Sequence, residues 1–285
     1  MNLTHLRAFH LVASYGSYTA AATAAGVSQP TLSEQVRLLE GKYSQLLLRR
    51  AGRSMELTST GEALLAVTSR LFAAEIEAES LLSARLGTLS GRLRFGTDAP
   101  IHAVPILSRL RSRHPGIKVE LISGNSASIK KAVANGSADF GIVADASPHP
   151  LLTTAVLGSQ DLVAMVRHDS QLAGAKQVSI KALNGQSLIM REPGSVTRSV
   201  TQAALAHWGV APGDVTETDG REAVQAAVLA GLGVGLIGDG EFSHDPRLLL
   251  LDLIEDIAPM TEYVAYRTDR RRDPVIAAAL ACTVP

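Results

Sequence analysis

The chain has 285 residues, 46% hydrophobic and 19% charged, which exceeds what one core usually sustains and predicts two or three domains. Its 27 basic and 27 acidic side chains cancel, excluding a uniformly basic coat for nucleic acid but not a local patch. A single cysteine, Cys282, excludes an internal disulfide framework or multi-thiolate metal site, and the absence of a signal-like start or long apolar span leaves the cytoplasm as the expected compartment, with no membrane partner.

The basic residues are not evenly spread. Residues 1–60 carry Arg7, Arg37, Lys42, Arg49, Arg50 and Arg53 against only Glu34, Glu40 and Glu56. Leu3, Leu6, Phe9, Leu11 and Val12 recur at helical spacing, predicting a first helix that ends near Gly16. Ser17 is placed to cap a second helix through the alanines at 20–25, and Gly26 to end it in a left-handed turn. Ser28 then caps a third helix, whose first turn tolerates Pro30. In that helix Leu32, Val36 and Leu39 form a buried stripe. Its other face offers Ser28, Gln29, Pro30, Thr31, Ser33, Glu34 and Arg37.

A short helix of small residues, a sharp turn and a polar-faced third helix make a helix-turn-helix. Glutamine is matched to adenine, and arginine to guanine or phosphate. The following "LLLRRAGRSMELT" reads as two short strands around Ala51-Gly52, a basic wing that adds Arg53 to the expected duplex contacts. On spacing alone, a plain helical hairpin is the competing reading; the wing favours double-stranded promoter DNA as the partner.

From Thr58 to about residue 86 the sequence lacks proline and is rich in Ala, Leu and Glu, predicting one long helix with Ser59 and Glu62 at capping-box spacing. Leu64, Val67, Leu71, Ala74, Ala78 and Leu81 keep a 3-4 alternation. A 60-residue head offers little surface to cover such a helix, so pairing with a second chain is expected. "GTLSGRL" at 87–93 reads as a flexible joint.

Beyond residue 91, strand and helix patterns alternate: "RLRFGT", "HAVPILSRLRSRH", "KVELISG", "SASIKKAVANG", "ADFGIVAD", then again from "DLVAMVRHD" to "VGLIGD". That alternation predicts parallel sheets with helices on their faces, arranged as two lobes. Domain limits are expected at 1–60 (DNA-binding head), 58–90 (linker and hinge) and 91–285, with lobe one at about 91–160 and 265–285 and lobe two at about 161–264. Open sheets bind ligands at the carboxyl ends of strands, where helix N-termini present free N–H groups. The rule selects Thr97, Asp98, Asn125, Ser126, Ser128, Asp145, Arg191, Ser195, Thr197 and Glu222 as effector-binding candidates. Ser195 and Thr197 serve equally well as helix caps, and Arg191 and Arg198 as ordinary surface arginines.

The run "LRAFHLVASYGSYTAAATAAGVSQPTLSEQVRLLE", with "LLLRRAGRSMELTSTGEALL" after it, resembles the winged helix-turn-helix of LysR-type transcriptional regulators, and the remainder matches that family's effector half in length and order. The resemblance implies an α/β protein with a winged helix-turn-helix, a long dimerisation helix and a two-lobed effector domain like periplasmic binding proteins. It also implies a homodimer or dimer of dimers, with RNA polymerase as a further candidate partner. Many relatives carry arginine where this chain has Glu34, and phenylalanine where it has Leu48. "REPGSVTRS" and "TSRLFAAEIEAESLL" further resemble the branch associated with aminoethylphosphonate catabolism. Asp98, at a position where relatives usually have a small polar residue, points to a cationic group on the effector, and the hydroxyls and helix N-termini to an anion, so a small zwitterion such as an aminophosphonate is expected. The ending stops slightly early for the family, and a shortened last helix is expected.

No cofactor is expected. "GLGVGLIG" has dinucleotide-binding glycine spacing, but a helix precedes it where that fold needs a strand. The eight histidines form no close metal-ligand pair, and no serine sits in a nucleophile elbow, so no metal or catalytic site is expected. The alternative to a DNA-binding regulator is a cytoplasmic small-molecule-binding protein or enzyme that uses the cleft without touching DNA.

Overall fold

The computed structural model describes residues 2–51, 54–84, 89–242 and 244–284. The head comprises α1 (Leu3–Tyr15), α2 (Tyr18–Ala25), α3 (Gln29–Tyr43), β1 (Leu48–Ala51) and β2 (Ser54–Leu57). Asn2, Ser17 and Ser28 cap the three helices through side-chain oxygens, and α1 ends at Gly16 in the left-handed region. Gly26 makes the α2–α3 turn at φ 67°, a conformation that costs a residue with a Cβ on the order of 1 kcal/mol. Leu6, Phe9, Val12, Leu32, Val36 and Leu39 bury together as the head's core. β1 and β2 pair antiparallel with Leu48 opposite Leu57, so leucine fills the position before the paired arginines without loss of the wing.

The linker helix α4 (Ser59–Ala84) is capped one residue earlier than the pattern predicts. Thr58 Oγ1 accepts from the Gly61 N–H at 3.0 Å and donates to the Leu46 carbonyl at 2.8 Å, tying the helix start to the wing's approach. Leu65 and Phe72 on α4 join the head's core, and His10 Nδ1 meets the Thr68 hydroxyl at 3.1 Å. Burial, reinforced by Arg94, Arg7 and Arg267, lowers the pKa of His10 to about 4, so the head meets its linker through a neutral ring. The same helix packs on the first lobe.

That lobe contains β3 (Ser90–Thr97), α5 (Pro100–Arg113), β4 (Gly116–Ser123), α6 (Ser126–Asn135), β5 (Phe140–Val143) and β6 (Leu152–Gln160). After one intervening residue the chain enters lobe two as β7 (Leu162–Arg167). Next come β8 (Gln177–Val178), β9 (Leu188–Arg191), α7 (Val196–His207), β10 (Val215–Thr218), α8 (Arg221–Leu229), β11 (Val234–Gly238), a short 3-10 turn at Asp239–Glu241 and β12 (Leu248–Leu253). It returns as β13 (Met260–Arg267), a 3-10 turn at Thr268–Arg270 and α9 (Pro274–Ala281).

Lobe one's sheet has the order β4-β3-β5-β13-β6 and lobe two's β10-β9-β11-β7-β12-β8. Neither is purely parallel, as the alternation led one to expect. β13 runs antiparallel to β5 and β6, and β7 antiparallel to β11 and β12, because the strands that carry the chain between lobes enter each sheet from the opposite end. The return crossing comes ahead of β13, slightly earlier than the expected 265, since Met260 already pairs with Gln160. In lobe one, α5 and α9 cover one face around Phe95, Leu110 and Ile276, and α6 covers the other around Ile129 and Val133. In lobe two α7 and α8 take opposite faces. The strand ends that carry Thr97, Ser123, Arg191 and Thr218 therefore open into one cleft.

Candidate DNA-binding and effector sites

On α3, Ser28, Gln29, Pro30, Thr31, Glu34 and Arg37 are exposed and Ser33 is half-buried. Ser28 Oγ accepts from the Thr31 N–H at 3.2 Å and lies 2.7 Å from Thr31 Oγ1, so these two hydroxyls fix the first turn. Gln29 is then presented at the helix start. Arg37 is not unengaged: its Nε and Nη2 donate to Glu34 at 2.8 and 2.7 Å. The hydrogen bonds from Arg37 hold Glu34's pKa below the usual glutamate range. A base or phosphate must compete with that carboxylate for the guanidinium. In the wing, Arg49 pairs with Glu56 at 3.0 Å. Arg53 lies outside the described residues.

The predicted pairing stripe on α4 divides. Leu64 packs partly against the head's core, on the face of α4 that the head covers through Leu65 and Phe72. Val67 and Leu71 are 48% and 37% exposed, and Ala74 and Ala78 are exposed beside them. The Leu81 side chain lies outside the described part.

The inter-lobe cleft has a volume of about 500 Å³, lined by Asp98, Asn125, Ser128, Arg191 and Glu222 from the sequence candidates and by Glu192, Asp219 and Arg221 besides. Asn125 caps α6 in a reciprocal capping box with Ser128, and its Nδ2 reaches across to the Pro193 carbonyl at 3.2 Å. The Ala127 N–H donates to the Gly194 carbonyl at 3.3 Å. Gly194 sits at φ +93°, where an added Cβ would fall 3.0 Å from Asn125 Oδ1, so a larger residue would be strained here and would crowd the contact between the lobes. Arg191 is buried and bonded to Glu192 at 2.8 and 2.9 Å. Burial raises Glu192's pKa, but bonds from Arg191 and the Gly220 N–H outweigh it and hold the carboxyl at about 2.

Thr97 is fully buried and its hydroxyl accepts from the Ala99 N–H at 3.1 Å, a turn-forming role. Asp98 is the deeper wall. Its Oδ2 accepts from Ser126 Oγ and from the Ala144 N–H at 3.0 Å, while Oδ1 has no partner among the described residues. Burial pushes its pKa up, against the bonds from Ser126 and Ala144 and the charge of Arg221. Ser195 caps α7, and with Thr197 it lines a small inner cavity behind Asp98. Asp145 does not belong to the cleft. It accepts from Lys130 Nζ at 2.9 Å and from the Ser147 N–H at 2.7 Å, and faces the groove between α4 and lobe one. β5 is only Phe140–Val143, so by Asp145 the chain has already turned off the cleft edge.

The inner cavity collects residues far apart in the sequence. Arg221 of α8 bridges the lobes, donating to the Asp98 carbonyl and to Glu241 Oε1, the latter at 2.9 Å. Gln160, at the end of β6, donates through Nε2 to Glu241 Oε1 at 3.2 Å and to Glu262 Oε1 at 2.9 Å. Burial, then the charges of Asp98 and Glu241, raise Glu262's pKa to about 8. Burial lowers that of His102. Glu241 follows the carboxyl end of β11, so the strand-end rule, carried one strand further, would have selected it. Gln160 and Glu262 lie on the crossing strands, outside that rule.

Residues 3–62 match the family model described as bacterial regulatory helix-turn-helix protein, lysR family, and residues 86–284 match the LysR substrate binding domain. The chain belongs to the LysR family. A LysR-family chain is a helix-turn-helix transcriptional regulator with an effector-binding domain rather than an enzyme. It is 28% identical over 286 residues to the regulator CbbR of Rhodospirillum rubrum, covering 98% of this chain and 95% of that one. It is 26% identical to the activator IlvY of Salmonella typhimurium, covering 97% of each. Among solved structures, full-length OxyR from Pseudomonas aeruginosa aligns over 99% of this LysR-family chain and 94% of its own length, with TM-score 0.78 at 20% identity. CbnR complexed with its target DNA aligns over 99% of both chains with TM-score 0.63, also at 20% identity. Among the described residues, no helix is long and apolar enough to cross a membrane.

Proposed function

We propose that this cytoplasmic regulator binds promoter DNA as a dimer, or a dimer of dimers, through α3 and the wing. We propose too that its effector is a small zwitterion held between the lobes. The exposed stripe Val67, Leu71, Ala74 and Ala78 supports α4 as the pairing surface, which would place two copies of α3 in successive major grooves. The single observation that carries the effector reading is the unpartnered Asp98 Oδ1 buried at the back of a cleft with more carboxylates than free guanidinium. A carboxylate oxygen buried without a partner costs free energy that an ammonium group would relieve. The N-terminal amides of α8 and the guanidinium of Arg221 supply the anion's side. Aminoethylphosphonate carries both charges, and the stretches "REPGSVTRS" and "TSRLFAAEIEAESLL" support that branch. Calorimetric titration with aminoethylphosphonate and with alanine tests it: heat from the former supports the phosphonate reading, and silence from both removes the zwitterion. For DNA, affinity should fall steeply with salt as phosphate counterions are released. Gln29→Ala should cost about 1 to 3 kcal/mol at one base position, whereas Arg53→Ala should weaken all duplexes alike. A ligand-dependent contact with RNA polymerase belongs to the same proposal.

A further inference from the structure

Behind the cleft, three side chains far apart in sequence converge. One ligand atom each from His102, Glu241 and Glu262 lies within 4.8 Å of the other two. His102 comes from the first turns of α5, Glu241 from the turn after β11 and Glu262 from β13, so the cluster joins lobe one, lobe two and the crossing strand. The pattern of partners is selective. Glu241 Oε1 takes bonds from Arg221 and Gln160, and Glu262 Oε1 one from Gln160. Glu241 Oε2, Glu262 Oε2 and His102 Nε2 are buried without a hydrogen-bond partner at bonding distance among the described residues. Both glutamates are more than nine-tenths buried, at 4% and 3% exposure.

We infer that His102, Glu241 and Glu262 form a binding site for a divalent transition-metal ion of the zinc or cobalt class. Oxygen and imidazole donors at this separation need to close to about 3.4 Å apart around an ion at about 2.1 Å, a movement within reach of side-chain rotation. Gln160 and Arg221 hold the opposite oxygen of each glutamate, the outer-shell arrangement that orients metal ligands. Charge agrees. Asp98, Glu241 and Glu262 face the single guanidinium of Arg221, Arg191 being taken by Glu192, and a divalent cation would displace the proton that burial favours on Glu262. The inner cavity beside the cluster, lined by Glu241 and Glu262 but not by His102, offers about 10 Å³, room for about one water-sized species. An imidazole among the donors favours zinc, cobalt or nickel over magnesium or calcium. The ion would pin the lobes at the point where the chain crosses between them.

The inference is independent of the effector's identity: a chain that takes up no metal would sink it and leave the effector reading standing, and silence from both zwitterions would sink that reading and leave this one. The test is equilibrium dialysis of full-length, chelator-stripped protein against Zn²⁺ and Co²⁺. One ion per chain is expected for the wild type, with affinity lowered at least tenfold in His102→Ala and in Glu262→Gln, and promoter binding by the head retained in both. Absence of stoichiometric uptake, wild-type affinity in both variants, or preference for Mg²⁺ overturns it. Should either variant fail to fold, the Co²⁺ spectrum of the wild type decides. Visible absorption of a low-coordinate nitrogen-and-oxygen site supports the assignment, and the weak spectrum of a hydrated octahedral ion refutes it.

Discussion

Asp139, just ahead of β5, is the anchor of lobe one, and Asp139→Asn is the sharpest test of how that lobe is held. Its Oδ2 accepts from the Arg94 N–H at 2.8 Å and Nε at 3.1 Å, and its Oδ1 from Arg94 Nη2 at 2.8 Å and from Arg270. Arg270 also donates to Asp273, the N-cap of α9, at 2.6 Å. The Asp139 side chain is 5% exposed and that of Arg270 8%. Breaking a buried pair costs about 3 to 5 kcal/mol, and because Arg270 keeps Asp273 the lower end applies, about 3 kcal/mol. In a unit of this size that lowers the thermal midpoint by roughly 6 to 12 °C. Burial raises the Asp139 pKa, but Arg94 and Arg270 outweigh it and hold it at about 2, against about 3.9 for an ordinary aspartate. A carboxyl depressed in the folded state stabilises above its unfolded pKa, here by about 2 kcal/mol, and loses that contribution as pH falls from about 4 toward 2. Melting followed by circular dichroism at pH 7 and again near pH 3 should therefore show a large gap between wild type and Asp139→Asn that narrows in acid. A shift under about 2 °C at pH 7, or a gap that stays constant, would refute the reasoning.

Glu34→Gln releases Arg37, so the slope of log affinity against log salt should steepen by about 0.9 for each guanidinium that then meets a phosphate, read by fluorescence anisotropy on random duplex; an unchanged slope means the pair persists or faces away from DNA. Val67→Glu combined with Leu71→Glu places charges in the exposed α4 stripe, and mass photometry should find the dimer dissociating at least a hundredfold more readily. A dimer of undiminished stability would move the interface elsewhere. Gly194→Ala forces a Cβ toward Asn125 at a positive φ, and strain of about 1 to 3 kcal/mol should speed hydrogen exchange at the Ala127 amide by about tenfold or more, leaving DNA affinity in place; unaltered exchange would show that the lobe contact is not held there.

The head was legible because each of its devices is local. Ser17, Gly26 and Ser28 act within four residues of themselves, and the stripe Leu32, Val36, Leu39 needs only a 3.6-residue period to declare its face. In the second half the strand-end rule found the cleft's rim, including Asp98 and Asn125, for the same reason. It misplaced Asp145 because the end of β5 depends on where its neighbour β13 stops pairing, which is a long-range fact. The inner cluster was invisible for a stronger reason. His102 and Glu262 are brought together only when the chain has left lobe one and returned, so no window contains them. The competition between Glu34 and Arg37 was readable in principle, since residues three apart on a helix meet.

Linker helix α4 packs against β3, α9 and the turn at Thr268–Arg270, all of them lobe one. Lobe one is thus continuous with the linker and the head, and lobe two is the part joined through crossing strands and cleft contacts. A ligand shifts a protein between arrangements only by binding one of them better. If closure of the cleft is that difference, what moves relative to the DNA-binding head is lobe two. Its displacement can then reach the head of its own chain only weakly, and the stronger route runs through whatever lobe two touches on a neighbouring chain. On that argument, disrupting assembly through lobe two should abolish the effector response while leaving operator binding by an α4-paired dimer intact, whereas disrupting α4 should abolish both.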